Sequence, residues 1–74
     1  MPKVPRVSGD EAIRVFNRMG FSIVRQRGSH VVLRRNDRGC VIPHHRELAT
    51  GTLRSALKQA GIRVEEFIGT WNGL

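Results

Sequence analysis

Apolar positions recur along this chain with two periods, and each change of period marks a change of element. Ala12, Ile13, Phe16 and Met19 follow the spacing of a helix with one apolar face. Ser8 opens that helix, with Glu11 three residues on. This is a capping box: the Ser8 hydroxyl accepts from the Glu11 amide and the Glu11 carboxylate reaches back. Val7 and Ala12 are spaced as a hydrophobic staple, and Gly20 stands where a left-handed C-terminal cap falls. From Phe21 the residues become strand formers. Phe21–Gln26 reads as a strand, Arg27-Gly28 as a tight hairpin connection and Ser29–Arg35 as a second strand. Asn36-Asp37-Arg38-Gly39 reads as a turn, and Cys40–Ile42 as a short third strand closed by Pro43. His44–Ala49 then connects to a second helix, capped by Thr50 or Thr52 and running to Ala60. Leu53, Ala56, Leu57 and Ala60 form its apolar stripe, and Arg54 and Lys58 lie one turn apart on another face. Gly61 takes the C-cap position, and Val64–Gly69 predicts a short third helix with Glu65 and Glu66 in its first turn.

The order α-β-β-β-α, with a short extra C-terminal helix, predicts an α+β domain with its helices on one face of a three-stranded antiparallel sheet. The other face or the rim is then open to a ligand. One domain is expected over residues 8–69, after a flexible or extended lead at 1–7 and before a tail at 70–74. Seventy-four residues leave room for one core only. A chain this short sits near the lower limit for folding on apolar burial alone and gains from a partner.

Charge narrows the partner. Thirteen Lys and Arg stand against six Asp and Glu, a net charge of +7. Lys3 and Lys58 are the only lysines, so arginine carries the excess. Its planar fork of donors fits phosphate oxygens and stacks on bases, and the balance favours a polyanion, most often nucleic acid. Cys40 is the single cysteine, so no internal disulfide is expected. No apolar run approaches the roughly 20 residues of a membrane span. The first residues lack the apolar stretch of a secretory signal, and a cytoplasmic location is the expectation.

Few groups are free for chemistry. Asp10 and Glu11 serve the first helix, Glu65 and Glu66 the third, and Asp37 a turn, which leaves Glu47 without an obvious structural role. Two-metal phosphoryl transfer needs several converging carboxylates, so no metal or other cofactor is expected. Cys40, His44 and His45 match no familiar zinc spacing. His30 is the best candidate for catalysis. It lies just beyond the tight Arg27-Gly28 turn, and arginines flank it at Arg25, Arg27, Arg34 and Arg35. An unperturbed imidazole titrates at about pH 6.5 and moves a proton at neutral pH. With cations holding a phosphodiester, it can deprotonate an RNA 2′-hydroxyl for attack on the adjacent phosphate. The alternative is a strand histidine without a role. Alternation leaves open which sheet face His30 uses, because Val31 and Leu33 lie on one side and Val32 lies with His30 and Arg34 on the other. His44, His45 and Arg46 read either as a solvated loop or as a basic loop that touches phosphate, and Arg54 and Lys58 are further phosphate candidates. His44, His45, Glu47 and Ser29 are the candidates for a second catalytic group.

From about Ser8 to Phe67 the chain resembles the HicA toxins of bacterial type II toxin–antitoxin systems, also called the YcfA-like family. The resemblance rests on Gly28-Ser29-His30, Ile42-Pro43-His44-His45, Glu47-Leu48, Gly51-Thr52-Leu53-Arg54 and Leu57-Lys58-Gln59-Ala60-Gly61-Ile62, in that order and spacing. It implies a fold like that of double-stranded-RNA-binding domains. It also implies an mRNA-cleaving ribonuclease that blocks translation, a HicB-like antitoxin that neutralises it, and catalysis by the histidine of the Gly-Ser-His motif, here His30. The longer, proline-bearing N-terminus departs from the family pattern, and Arg63 is an unusual cap for the third helix. Two other functions fit the same composition: a non-catalytic RNA-binding module, and a protein-binding subunit whose basic face meets an acidic partner.

Overall fold

The computed structural model describes residues 3–74. Its elements are α1 (Gly9–Arg18), β1 (Ser22–Arg27), β2 (His30–Arg35), β3 (Arg38–Pro43), α2 (Thr50–Ala60) and α3 (Val64–Asn72). The strands form one antiparallel sheet in the order β1-β2-β3. This is the α+β arrangement that the apolar periods predict. None of the helices is long and apolar enough to cross a membrane, among the described residues.

Alternation along the strands sets the layers. Val31 and Leu33 of β2 and Cys40 and Ile42 of β3 are buried, whereas their neighbours in sequence are wholly or partly open. The buried set meets Val15 and Phe16 of α1, Leu53 and Leu57 of α2 and Phe67 of α3 in one core. Phe16 stands edge-on to Phe21, with ring centroids 5.2 Å apart, and tilts against Phe67 at 5.9 Å. Residues 3–7 have no helix or strand, yet Val4 and Val7 are buried in this core.

The capping box of α1 forms as expected, with Glu11 N–H donating to Ser8 Oγ at 3.0 Å and Ser8 N–H to Glu11 Oε1 at 2.9 Å. Several boundaries differ from the sequence reading. The first hairpin turn is Gly28-Ser29 rather than Arg27-Gly28, and Gly28 takes φ +55°, which a residue without Cβ adopts freely. The second turn is only Asn36-Asp37, so β3 begins at Arg38 and extends through Pro43. Neither Thr50 nor Thr52 caps α2. The N-cap is Ala49, which has no side chain to bond. Leu48 is buried and its N–H donates to the Val7 carbonyl at 2.8 Å, which fixes the chain two residues ahead of Thr50. Helix α3 passes Gly69 and reaches Asn72, because Trp71 continues the Phe67 face by four residues and packs on the core. At its start Arg63 supplies no acceptor, and the Glu66 carboxylate accepts from the Arg63 N–H at 3.0 Å. That bond holds the Glu66 carboxyl below its usual range.

Gly9 carries the tightest approach of any glycine among the described residues. It is the first residue of α1 and lies against the backbone of the segment that follows β3. Its N–H donates to the His45 carbonyl at 2.8 Å. A Cβ here would overlap the Pro43 carbonyl oxygen and stand 3.0 Å from both His44 Cα and His45 N. Backbone cannot swing aside as a flexible side chain can. Gly9→Ala should therefore destabilise the fold by about 1–3 kcal/mol, as overpacking does, despite alanine's better helix propensity. Thermal unfolding should show a midpoint lower by several degrees, and an unchanged or raised midpoint would contradict the close packing.

Candidate functional site

His30 is exposed at the first position of β2, directly after the Gly28-Ser29 turn. The two-residue turn fixes the register, so His30 pairs with Arg27 on β1 and with Pro43 on β3. Residues paired across antiparallel strands share a face. The face away from the helices therefore carries Arg27, His30 and Pro43 in one row and Arg25, Val32 and Val41 in the next. Ser22, Arg34 and Gly39 follow in a third row. This settles the question that alternation left open: His30 stands on the open face with three arginines. None of the six carboxylates lies on a strand, so nothing on that face neutralises the cations.

The segment after β3 braces this site from behind. The His44 N–H donates to the Ser29 carbonyl, extending the ladder by one step beyond the His30–Pro43 pair. One residue past Pro43, alternation turns the His44 side chain toward the helices, where Nε2 pairs with Asp10 Oδ1 at the start of α1. His30 and His44 are thus joined through backbone, and their rings point to opposite sides of the sheet. His45 is exposed and anchored through its backbone to Gly9, and Arg46 beside it is exposed. Glu47 does have a partner, Arg6, at 3.1 Å. Ser29 is exposed beside His30.

The other basic candidates separate into two kinds. Arg54 and Lys58 are exposed on α2. Arg35 faces the helix layer and is half-buried: its Nη1 donates to the Met19 carbonyl at 2.8 Å, and its guanidinium lies 4.7 Å from the Phe21 ring centroid. The Asp10–His44 pair escaped the sequence reading because its members lie 34 residues apart and no local pattern links them.

Cys40 has no place in this chemistry. Burial pushes its thiol up to about 11, so the reactive thiolate is absent at neutral pH. Among the described residues no three of His, Cys, Asp and Glu gather into a group able to hold a metal ion. A groove of about 380 Å³ runs between β3 and α2, lined by Val41, Pro43, Thr52, Ser55 and Gln59 among others. Pro43 connects it to the row that contains His30. A basic, carboxylate-free sheet face with one accessible imidazole and an adjoining uncharged groove can hold an anion, move a proton at it and accommodate an attached group.

The sequence model of a family described as HicA toxin of bacterial toxin–antitoxin matches residues 9–62 of the 74. The chain belongs to the HicA toxin family. The match begins at Gly9, where α1 meets the segment after β3, and ends just past the cap of α2. Val4, Val7 and Phe67 lie outside it and still fill the core of this HicA protein. Membership makes the chain the toxin side of a toxin–antitoxin pair. A comparison with curated proteins returns no match.

The setting of Arg35 separates packing from charge. Arg35→Ala removes a charged hydrogen bond and a cation–π contact, and should cost about 1–2 kcal/mol of stability. Lysine should rescue it poorly, because an ammonium lacks the planar surface that lies on Phe21. Chemical denaturation of both variants is the check, and a wild-type midpoint for Arg35→Ala would show the contacts to be idle.

Proposed function

We propose that this HicA toxin is a metal-independent endoribonuclease that cleaves mRNA, with His30 as its proton-transfer group, and that a HicB-like antitoxin neutralises it in the cytoplasm. The observation that carries this reading is the position of His30: exposed, beside Arg27, and on one face with Arg25 and Arg34. The arginines hold the phosphodiester and stabilise the charge that develops on it. His30 accepts the proton of the 2′-hydroxyl, and the 2′-oxygen attacks the phosphorus of the adjacent 3′-phosphodiester. The bond to the 5′-oxygen breaks, that oxygen takes a proton, and the products are a cyclic 2′,3′-phosphate and a 5′-hydroxyl. The groove beside Pro43 gives room for the nucleotide on one side of the cut. Asp10, Glu11, Glu47 and Glu66 are engaged by His44, Ser8, Arg6 and Arg63, which leaves little to bind a catalytic metal pair.

A second reading, a non-catalytic RNA-binding module, uses the same arginines. It is favoured by the side chain of His44, which pairs with Asp10 instead of joining His30. One experiment separates the two. Purified protein is incubated with RNA in EDTA, alongside His30→Ala and alongside RNA carrying a single 2′-deoxynucleotide at the cleaved position. Cleavage should survive chelation, fall by roughly 10²–10⁴-fold in His30→Ala and stop at the deoxy position. Circular dichroism and RNA affinity of His30→Ala should stay near wild type, because His30 is exposed. A folded His30→Ala protein that cuts RNA at the wild-type rate removes His30 from the mechanism. Intact RNA with the wild-type protein supports the binding module.

Binding gives a second prediction. RNA affinity should fall steeply with salt, since each neutralised phosphate releases counterions. Arg34→Ala should make that dependence shallower by about one phosphate contact. An affinity that ignores salt would assign the charge to another partner.

A further inference from the structure

The sheet has two edges, and the fold treats them differently. Strand β3 is flanked by α2. Strand β1 is exposed at every residue. Its outer edge presents backbone N–H and C=O groups to no other strand. Bare edges are usually blunted by lysine, proline or a bulge. Strand β1 does carry a bulge, between Ile23 and Arg25, but the inserted residue is Val24. Val24 is 57 % exposed and Ile23 beside it 49 %, the two most exposed large apolar side chains among the described residues. Bulges re-aim side chains, and this one displays an apolar pair instead of hiding it. Beyond it, Arg25, Gln26 and Arg27 pair in regular register with β2, so their outer edge is flat.

We propose that β1 is a docking edge for an extended acidic segment of a partner protein, which adds a fourth strand beside Arg25–Arg27. The added backbone satisfies the open edge, as in other strand-addition complexes. An apolar residue of the segment covers Ile23 and Val24. Its carboxylates, alternating along the strand, fall on the open face beside Arg25 and Arg27. A second copy of this chain is disfavoured as the occupant, because two β1 strands would bring Arg25 and Arg27 of each copy together and each chain carries +7. RNA is disfavoured at the edge itself, because branched aliphatic side chains offer no stacking surface and nucleotides do not complete a strand ladder. Arg27 is the cross-strand partner of His30, so a carboxylate on Arg27 stands beside the His30 side chain.

This inference rests on the toxin–antitoxin pairing of the family and not on RNA cleavage, so its test reads binding and not cleavage. The probe is a short peptide alternating Glu and Val, titrated into the wild-type protein and followed by amide hydrogen exchange. Exchange should slow at Arg25–Arg27, and the affinity should exceed that of the Lys-Val counterpart by at least roughly tenfold. N-methylation of alternate peptide amides on the pairing side should lose roughly tenfold, as should Ile23→Ser with Val24→Ser. Protection confined to β3 or α2, equal binding of the Lys-Val peptide, or indifference to N-methylation would each overturn the docking edge. So would an RNA oligonucleotide that protects the Arg25–Arg27 amides as strongly as the acidic peptide. A protein that binds the peptide as described and cuts no RNA overturns only the catalytic proposal.

Discussion

The contact on which the site depends is between two pieces of backbone. Helix α1 begins with a residue that has no side chain, and the segment after β3 lies against it so closely that a methyl group has no room. From this contact the constraints spread outward. Gly9 holds the His45 carbonyl, Asp10 holds the His44 ring, and His44 holds the Ser29 carbonyl at the turn that delivers His30. No member of this chain is fully buried except Gly9. Its rigidity comes from geometry and from several bonds that share one short loop.

The second organising feature is the division of arginine between two faces of one sheet. Strand β2 shows it within two residues. Arg34 points to the open face and stays free, whereas Arg35 points to the helices and is used on the Met19 carbonyl and the Phe21 ring. Arg38, its partner on β3, lies close against Gly61 at the end of α2, where a cation favours the helix dipole. Net charge counts all of these alike. The open face is basic because alternation places Arg25, Arg27 and Arg34 there and no acid falls on a strand.

That distinction marks how far the amino-acid sequence could be read. The elements and their order were legible, because apolar spacing differs sharply between Ile13–Phe16 and Val31–Leu33. His30 was legible as a candidate because a tight turn precedes it. Boundaries set by long-range contacts were not. The start of α2 is fixed by a hydrogen bond from Leu48 to Val7, and the length of α3 by Trp71 reaching the core. The face of His30, the partner of His44 and the solvent-facing setting of Ile23 and Val24 all depend on register and layer packing. Neither can be read from local pattern, and Ile23-Val24 in particular looks like any other core-forming strand segment.

The links between the start of the chain and its middle have a consequence for synthesis. Val7 waits for Leu48, and Gly9 for His45, so the loop they close spans more than half of the chain. Closing so long a loop costs more chain entropy than pairing the neighbouring strands inside it. A ribosome that stalls or aborts before the middle of the message therefore releases a fragment whose Gly28-Ser29-His30 turn has nothing behind it. The brace behind that turn exists only in a chain that already contains His44, His45 and Leu48.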